Sequence, residues 1–132
     1  MTGNGLESIT VFAGLEPEDR DRLAAVCTEI EVEAGSTLVH EGDFGYSMFG
    51  IVNGTALVTQ AGQQLRSLGP GDVFGEIAVL SSGRRSATVT ATTAMRLIVV
   101  MNRDVWRLER DAPDVAVALR TTIAGCLGAT AT

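Results

Sequence analysis

The chain has 132 residues, 45% of them hydrophobic, which is enough for one compact domain with a buried core and too few for a second. Ten basic residues against sixteen acidic ones give a net charge of −6, which opposes nucleic-acid backbones and anionic membranes as main partners. All ten basic residues are arginine, and with abundant Ala, Gly and Val the composition matches a GC-rich bacterial genome.

Residues 1–5 are polar and lack a basic region leading into an apolar run, so no secretory signal is expected. The first predicted element is an amphipathic helix over residues 17–27. Pro17 suits the first turn, Glu18, Asp19 and Asp21 favour the same end, and Leu23, Ala24 and Val26 are to be buried beside Ile9, Val11, Phe12 and Leu15. Residues 30–33 alternate apolar and acidic side chains, Gly35 turns the chain, and residues 37–40 form the next strand. Residues 41–45 read as a turn, 48–53 as a strand, Asn53-Gly54 as a tight hairpin and 55–60 as its return. A second hairpin at Ala61-Gly62 leads into 64–68, and Gly69-Pro70-Gly71-Asp72 ends the sheet. Strands over 86–91 and 95–101 follow. The run Leu97-Ile98-Val99-Val100-Met101 is the longest strongly apolar one and has strand length, not bilayer length. Such closely punctuated strands point to a β-sandwich or jelly roll. Asp104 then caps a short helix through Trp106 that ends near Asp111-Ala112, and Pro113 starts another through Val115, Val117, Leu119 and Ile123.

The segment 74–91 carries the chemistry. Gly75 lets a ligand approach the main chain, and Glu76, Ile77, Ala78, Val79 and Leu80 suit one helical turn whose N–H groups favour an anionic oxygen. The Glu76 carboxylate only accepts hydrogen bonds, so a hydroxyl is its natural partner. The loop Ser81-Ser82-Gly83 doubles the chain back, so that Arg85 brings a planar donor fork suited to two phosphate oxygens, with Ser86 adding a hydroxyl beside it. Together these residues suit a ribose joined to a phosphate. Arg84 points the other way if a strand starts there, and is expected to be solvated. A plain surface ion pair between Glu76 and Arg85, worth ~0–1 kcal/mol, is the competing account.

Phe74-Gly75-Glu76-Ile77-Ala78-Val79 followed by Arg85-Ser86-Ala87-Thr88-Val89 resembles the cyclic nucleotide-binding domains of the cyclic AMP receptor protein, cyclic AMP-dependent kinase regulatory subunits and cyclic nucleotide-gated channels. Residues 29–43 and 68–72 are similar to the family's first strands and its approach to the ligand, so the resemblance covers residues 6–119. It implies a mainly β fold, a β-roll or jelly roll with an N-terminal helix, a short helix at the phosphate and C-terminal hinge and lid helices. By resemblance, Glu76 holds the ribose 2′-hydroxyl, Arg85 pairs with the cyclic phosphate, and main-chain N–H groups at Ile77, Ala78, Ser86 and Ala87 complete the cradle beside Gly75. The base is expected against the strands carrying Leu57 and Leu65. Two positions depart from the family pattern: Tyr46 stands where a small acidic residue is common, and Gly50 where a bulky apolar one is usual, which a bulge or a close contact would explain.

The resulting expectation is one ligand-sensing domain over residues 6–127, with flexible termini at 1–5 and 128–132. It binds cyclic AMP in preference to cyclic GMP and signals through its C-terminal helices. Ser86 alone does not choose the nucleotide, and the composition favours cyclic AMP. An effector domain or protein is an expected partner. The apolar stripe of Val117, Ile123 and Leu127 suits either a lid or a homodimer face, and Trp106 is assigned to the hinge core. His40 is the only histidine, so a two-histidine metal set cannot form within one chain, and neither an enzyme nor a catalytic cofactor is expected. With Arg120 the only basic residue after Pro113, no helix that reads DNA is expected in this chain. Cys27 and Cys126 lie outside metal-ligand spacing, which suits buried free thiols in a reducing cytoplasm, with a single disulfide as the alternative. The alternative is a relative that has lost its ligand and serves as an interaction scaffold.

Overall fold

The computed structural model describes residues 16–25, 27–45, 47–75, 83–114 and 117. Helix α1, Pro17–Ala24, starts on its proline with Glu18 and Asp19 in the first turn and buries Leu23 and Ala24. It is shorter than expected, although the Cys27 N–H still donates to the Leu23 carbonyl at 3.2 Å. Val26, Ile9, Val11, Phe12 and Leu15 lie outside the described residues.

Ten strands follow among the described residues: β1 Thr28–Val32, β2 Thr37–Val39, β3 Phe44–Gly45, β4 Ser47–Asn53, β5 Ala56–Gln60, β6 Gln63–Leu68, β7 Val73–Phe74, β8 Gly83–Arg84, β9 Thr88–Ala91 and β10 Met95–Met101. They form two four-stranded antiparallel sheets, β1-β10-β4-β7 and β2-β9-β5-β6, and a small ribbon of β3 with β8. The inner faces meet in one core. Ile51, Leu97, Met95 and Phe74 come from the first sheet, and Ala56, Val58, Val89 and Ala91 from the second. Period-two alternation produces this, because Ala56 and Val58 on β5 face the same side as Val89 and Ala91 on β9. On β10, Ile98 and Val100 are buried as well, on the face opposite Leu97, and the helix that follows the strand packs against it. This is the jelly-roll architecture expected from the punctuated strands.

One turn has a different role from the one expected. Gly54 is in the left-handed region at φ +93, as a tight turn requires, but β4 and β5 do not pair with each other. Asn53-Gly54 is a corner that carries the chain from one sheet to the other. A Cβ at Gly54 would run into the Ala94 carbonyl oxygen and lie 2.8 Å from Met95 Cγ, so the corner is tightly packed. Ala61-Gly62 does close a true hairpin between β5 and β6. The bulge suspected at Gly50 falls nearby: Gly50 pairs regularly with Ile98 and Val73, and the register shifts between Arg96 and Leu97, opposite the step from Ile51 to Asn53.

Helix α2, Asn102–Asp111, continues directly from β10. Asp104 caps it from inside the first turn and not from the N-cap position, accepting the Met101 N–H at 3.3 Å. Leu108 is buried. Trp106 is 54% exposed and so is not a hinge-core residue; two positions from Leu108, the helix has turned to its other side. Residues 113, 114 and 117 are again helical with Val117 exposed, while Val115, Leu119, Ile123 and Leu127 lie outside the described residues. Among the described residues no helix is long and apolar enough to cross a membrane.

Candidate ligand-binding site

The site begins with an aromatic pair. Phe49 on β4 and Phe74 on β7 are register partners, stacked with ring centroids 4.9 Å apart and planes within 11°. Phe74 is fully buried, which fixes where the chain emerges at Gly75. Gly75 sits at φ +74, so the chain turns there by a conformation that suits glycine.

Arg85 arrives from the other side. Its backbone is held twice by the turn before β3: the Arg85 N–H donates to the Asp43 carbonyl at 2.6 Å, and its carbonyl accepts the Gly42 N–H at 2.9 Å. The side chain is half-buried, with Nη2 donating to the Ser47 carbonyl at 2.7 Å and Nη1 to the Gly75 carbonyl at 3.3 Å. Two glycines leave room for it. A Cβ on Gly45 would stand 2.7 Å from Arg85 Cζ and Nε, and one on Gly75 would meet Nη1 and lie 3.0 Å from the Ser47 oxygen. The guanidinium is thus seated between β3, β4 and Gly75, with two backbone carbonyls orienting it.

A cavity of about 310 Å³ opens at this charge, lined by Leu38, Val39, His40, Phe44, Phe49 and Arg85 among others. Leu38, Val39, Phe44 and Phe49 give it apolar walls, Thr37, His40, Asp43 and Ser47 make the lining mixed, and Arg85 supplies a cation that suits an anionic group. A larger groove of about 550 Å³ lies elsewhere, between Glu31, Glu33, Asn53 and Arg96. There Arg96 is already paired with Glu29 at 2.6 Å and the rim is acidic, so its size does not make it a phosphate site.

Of the residues singled out in the sequence, the structure brings Gly75 and Arg85 into direct contact and keeps Ser86 exposed and Ala87 buried just beyond. Glu76, Ile77, Ala78 and Tyr46 lie outside the described residues. Leu57 alternates with the buried Val58 and so faces away from the core, and Leu65 is 52% exposed. Neither lines this cavity, whose apolar wall is built by β2 and β4. Arg84 is exposed, yet it is not merely solvated: Nη1 donates to the Gly42 carbonyl at 2.7 Å, and the guanidinium lies 4.4 Å from the Phe44 ring centroid. His40 is an exposed residue whose Nδ1 lies 2.8 Å from the Glu41 carbonyl. Gly45 and Ser47 were not singled out in advance. Neither carries a signal in the local sequence, because each meets Arg85 across about 40 residues.

Cys27, free and half-buried, is held protonated: burial, with the Asp104 carboxylate adding to it, pushes the thiol from 9.0 up to about 12. Cys126 lies outside the described residues.

Residues 29–111 match the family model for the cyclic nucleotide-binding domain. The chain is 30% identical over 108 residues to a cAMP-dependent protein kinase regulatory subunit of Hypocrea atroviridis, covering 82% of this chain and 23% of that protein. It is 31% identical over 119 residues to the cyclic AMP receptor protein of Thermus thermophilus, covering 86% of this chain and 55% of that protein. Among solved structures, the N-terminal domain of a transcriptional regulator from Streptomyces coelicolor A3(2) superposes with a TM-score of 0.82 at 30% identity, over 96% of this chain and 94% of that one. The chain therefore spans between about a quarter and about half of the curated relatives it matches. On the family match, these identities and the shared jelly roll, the chain belongs to the cyclic nucleotide-binding domains, a family of ligand-binding regulatory modules.

Proposed function

We propose that residues 6–127 form a regulatory sensor that binds a 3′,5′-cyclic nucleotide, cyclic AMP in preference to cyclic GMP, and passes the signal on through its C-terminal helices. One observation carries this reading: the Arg85 guanidinium is fixed by the Ser47 and Gly75 carbonyls between two glycines, where it lines a cavity that also presents Leu38, Val39, Phe44 and Phe49. A seated guanidinium matches two phosphate oxygens at once, and the family is one of ligand-binding regulatory domains, so we read the site as a binding module and not an enzyme. Glu76 takes the ribose 2′-hydroxyl, and the N–H groups of Ile77, Ala78, Ser86 and Ala87 join Arg85 around the phosphate. The preference for cyclic AMP is supported by two relatives whose names refer to that nucleotide. The reading places the protein in the cytoplasm, acting on an attached or separate effector.

Calorimetry on Arg85→Ala and Glu76→Ala tests the site. Loss of the Arg85 fork leaves the ligand charge poorly matched and should cost about 2–5 kcal/mol, on the order of tenfold to a thousandfold or more in affinity. Wild-type affinity in both variants would remove the assignment. Side-by-side titration of the two nucleotides tests the preference. A wild type whose melting neither nucleotide shifts favours the scaffold reading. A ligand moves the helices only through its difference in affinity for their arrangements, so amide-exchange protection unchanged by nucleotide across residues 104–127 would defeat the switch.

A further inference from the structure

The geometry points to Gln60 as a positioning residue for the phosphate cradle: by holding the Ser86 carbonyl, it sets the direction of the Ala87 N–H. The Gln60 Nε2 donates to the Ser86 oxygen at 2.9 Å, across 26 residues of sequence. That oxygen and the Ala87 N–H belong to one planar trans peptide, where they point to opposite sides. Whatever fixes the carbonyl therefore aims the N–H. The preceding peptide is aimed in the same way, since the Arg85 carbonyl accepts the Gly42 N–H at 2.9 Å, which sets the Ser86 N–H. Successive donors are thus oriented from behind, one by a backbone group and the other by a side chain.

Gln60 is itself held in place. The next residue, Ala61, donates its N–H to both oxygens of the Glu41 carboxylate at 3.1 and 3.2 Å, and the Glu41 N–H donates to Thr88 Oγ1 at 3.1 Å. The hydrogen bonds run from Ser86 through Gln60, Ala61 and Glu41 back to Thr88, and so enclose Ala87. Gln60 is exposed, so replacing it leaves the core as it is. The inference rests on the preceding reading, in which the Ala87 N–H faces the nucleotide phosphate.

The test uses Gln60→Met, which keeps the length and loses the donor, and Gln60→Glu, which sets an acceptor against the carbonyl. Arg85→Ala is measured in the same series. In both Gln60 variants the Ala87 amide resonance of the nucleotide-free protein should move while the melting temperature holds. Affinity for cyclic AMP and cyclic GMP should fall together, by about threefold to tenfold in Gln60→Met and further in Gln60→Glu. An unmoved Ala87 resonance, unchanged affinity, or a loss confined to one nucleotide overturns the inference; in the last case Gln60 would be reading the base. Wild-type affinity in Arg85→Ala overturns the phosphate reading, while the nucleotide-free Ala87 resonance still decides whether Gln60 aims the peptide. A wild type that binds neither nucleotide overturns both.

Discussion

Arg85 owes its place as much to missing side chains as to its own hydrogen bonds. Gly45 lies outside the left-handed region, so alanine fits its backbone, yet the added methyl would stand 2.7 Å from Arg85 Cζ and Nε. Gly45→Ala is expected to keep its folding stability within about 1 kcal/mol while displacing the guanidinium. Affinity for the cyclic nucleotide should fall about tenfold, equivalent to ~1.4 kcal/mol. Paired melting and calorimetry separate the two effects. Gly75→Ala is a different experiment, because φ +74 strains any added side chain before Arg85 is reached. Gly75 and Arg85 were legible in the sequence because residue types at a fixed spacing announce them. Gly45, Ser47 and Gln60 were not, because they act on residues some 25 to 40 positions away, through contacts that local pattern does not encode.

At the scale of elements, two similar turns led to different places. Asn53-Gly54 and Ala61-Gly62 both say that the chain reverses, and both do reverse it, but only the second joins strands that pair. Turn chemistry fixes local backbone angles, whereas pairing is decided by which inner faces meet in the core. Ala61 at φ 51 and Gly62 at φ 81 have the two positive angles of a type I′ turn, and alanine fits the first of them poorly. Ala61→Asn should therefore stabilise the protein by roughly 0.5–1 kcal/mol in urea unfolding, since the bond to Glu41 comes from the backbone and survives. The start of α2 was placed near Asp104 for the right residue but the wrong position. Because β10 runs straight into the helix, Met101 stands at the N-cap and the carboxylate reaches back from the third helical residue.

Across the whole molecule, the jelly roll was readable because half-buried strands alternate and turn residues punctuate them. The run 97–101 breaks the alternation for a physical reason: β10 lies between β1 and β4 and is covered on both faces. Helix α2 packs against β10, and its Asp104 acts on the thiol of Cys27. Folding raises that thiol from 9.0 to about 12, so the unfolded chain loses the proton first as pH rises. Its contribution to stability is whole below pH about 9 and declines between about 9 and 12. Urea midpoints for wild type and Cys27→Ala, measured from about pH 8 to 11, should show the wild type losing ground as pH rises.

Ser47 and Met101 face each other across one rung of the β4–β10 ladder. Ser47 offers its carbonyl to Arg85, and Met101 gives its N–H to Asp104 where α2 begins. The guanidinium and the first turn of a helix outside the pocket thus share a single backbone pair, which gives the proposed signal a physical route to α2. Arg103, exposed on that turn, is a natural address for an optical reporter: a dye mounted there should change brightness when nucleotide is added, making the domain an indicator of its own occupancy.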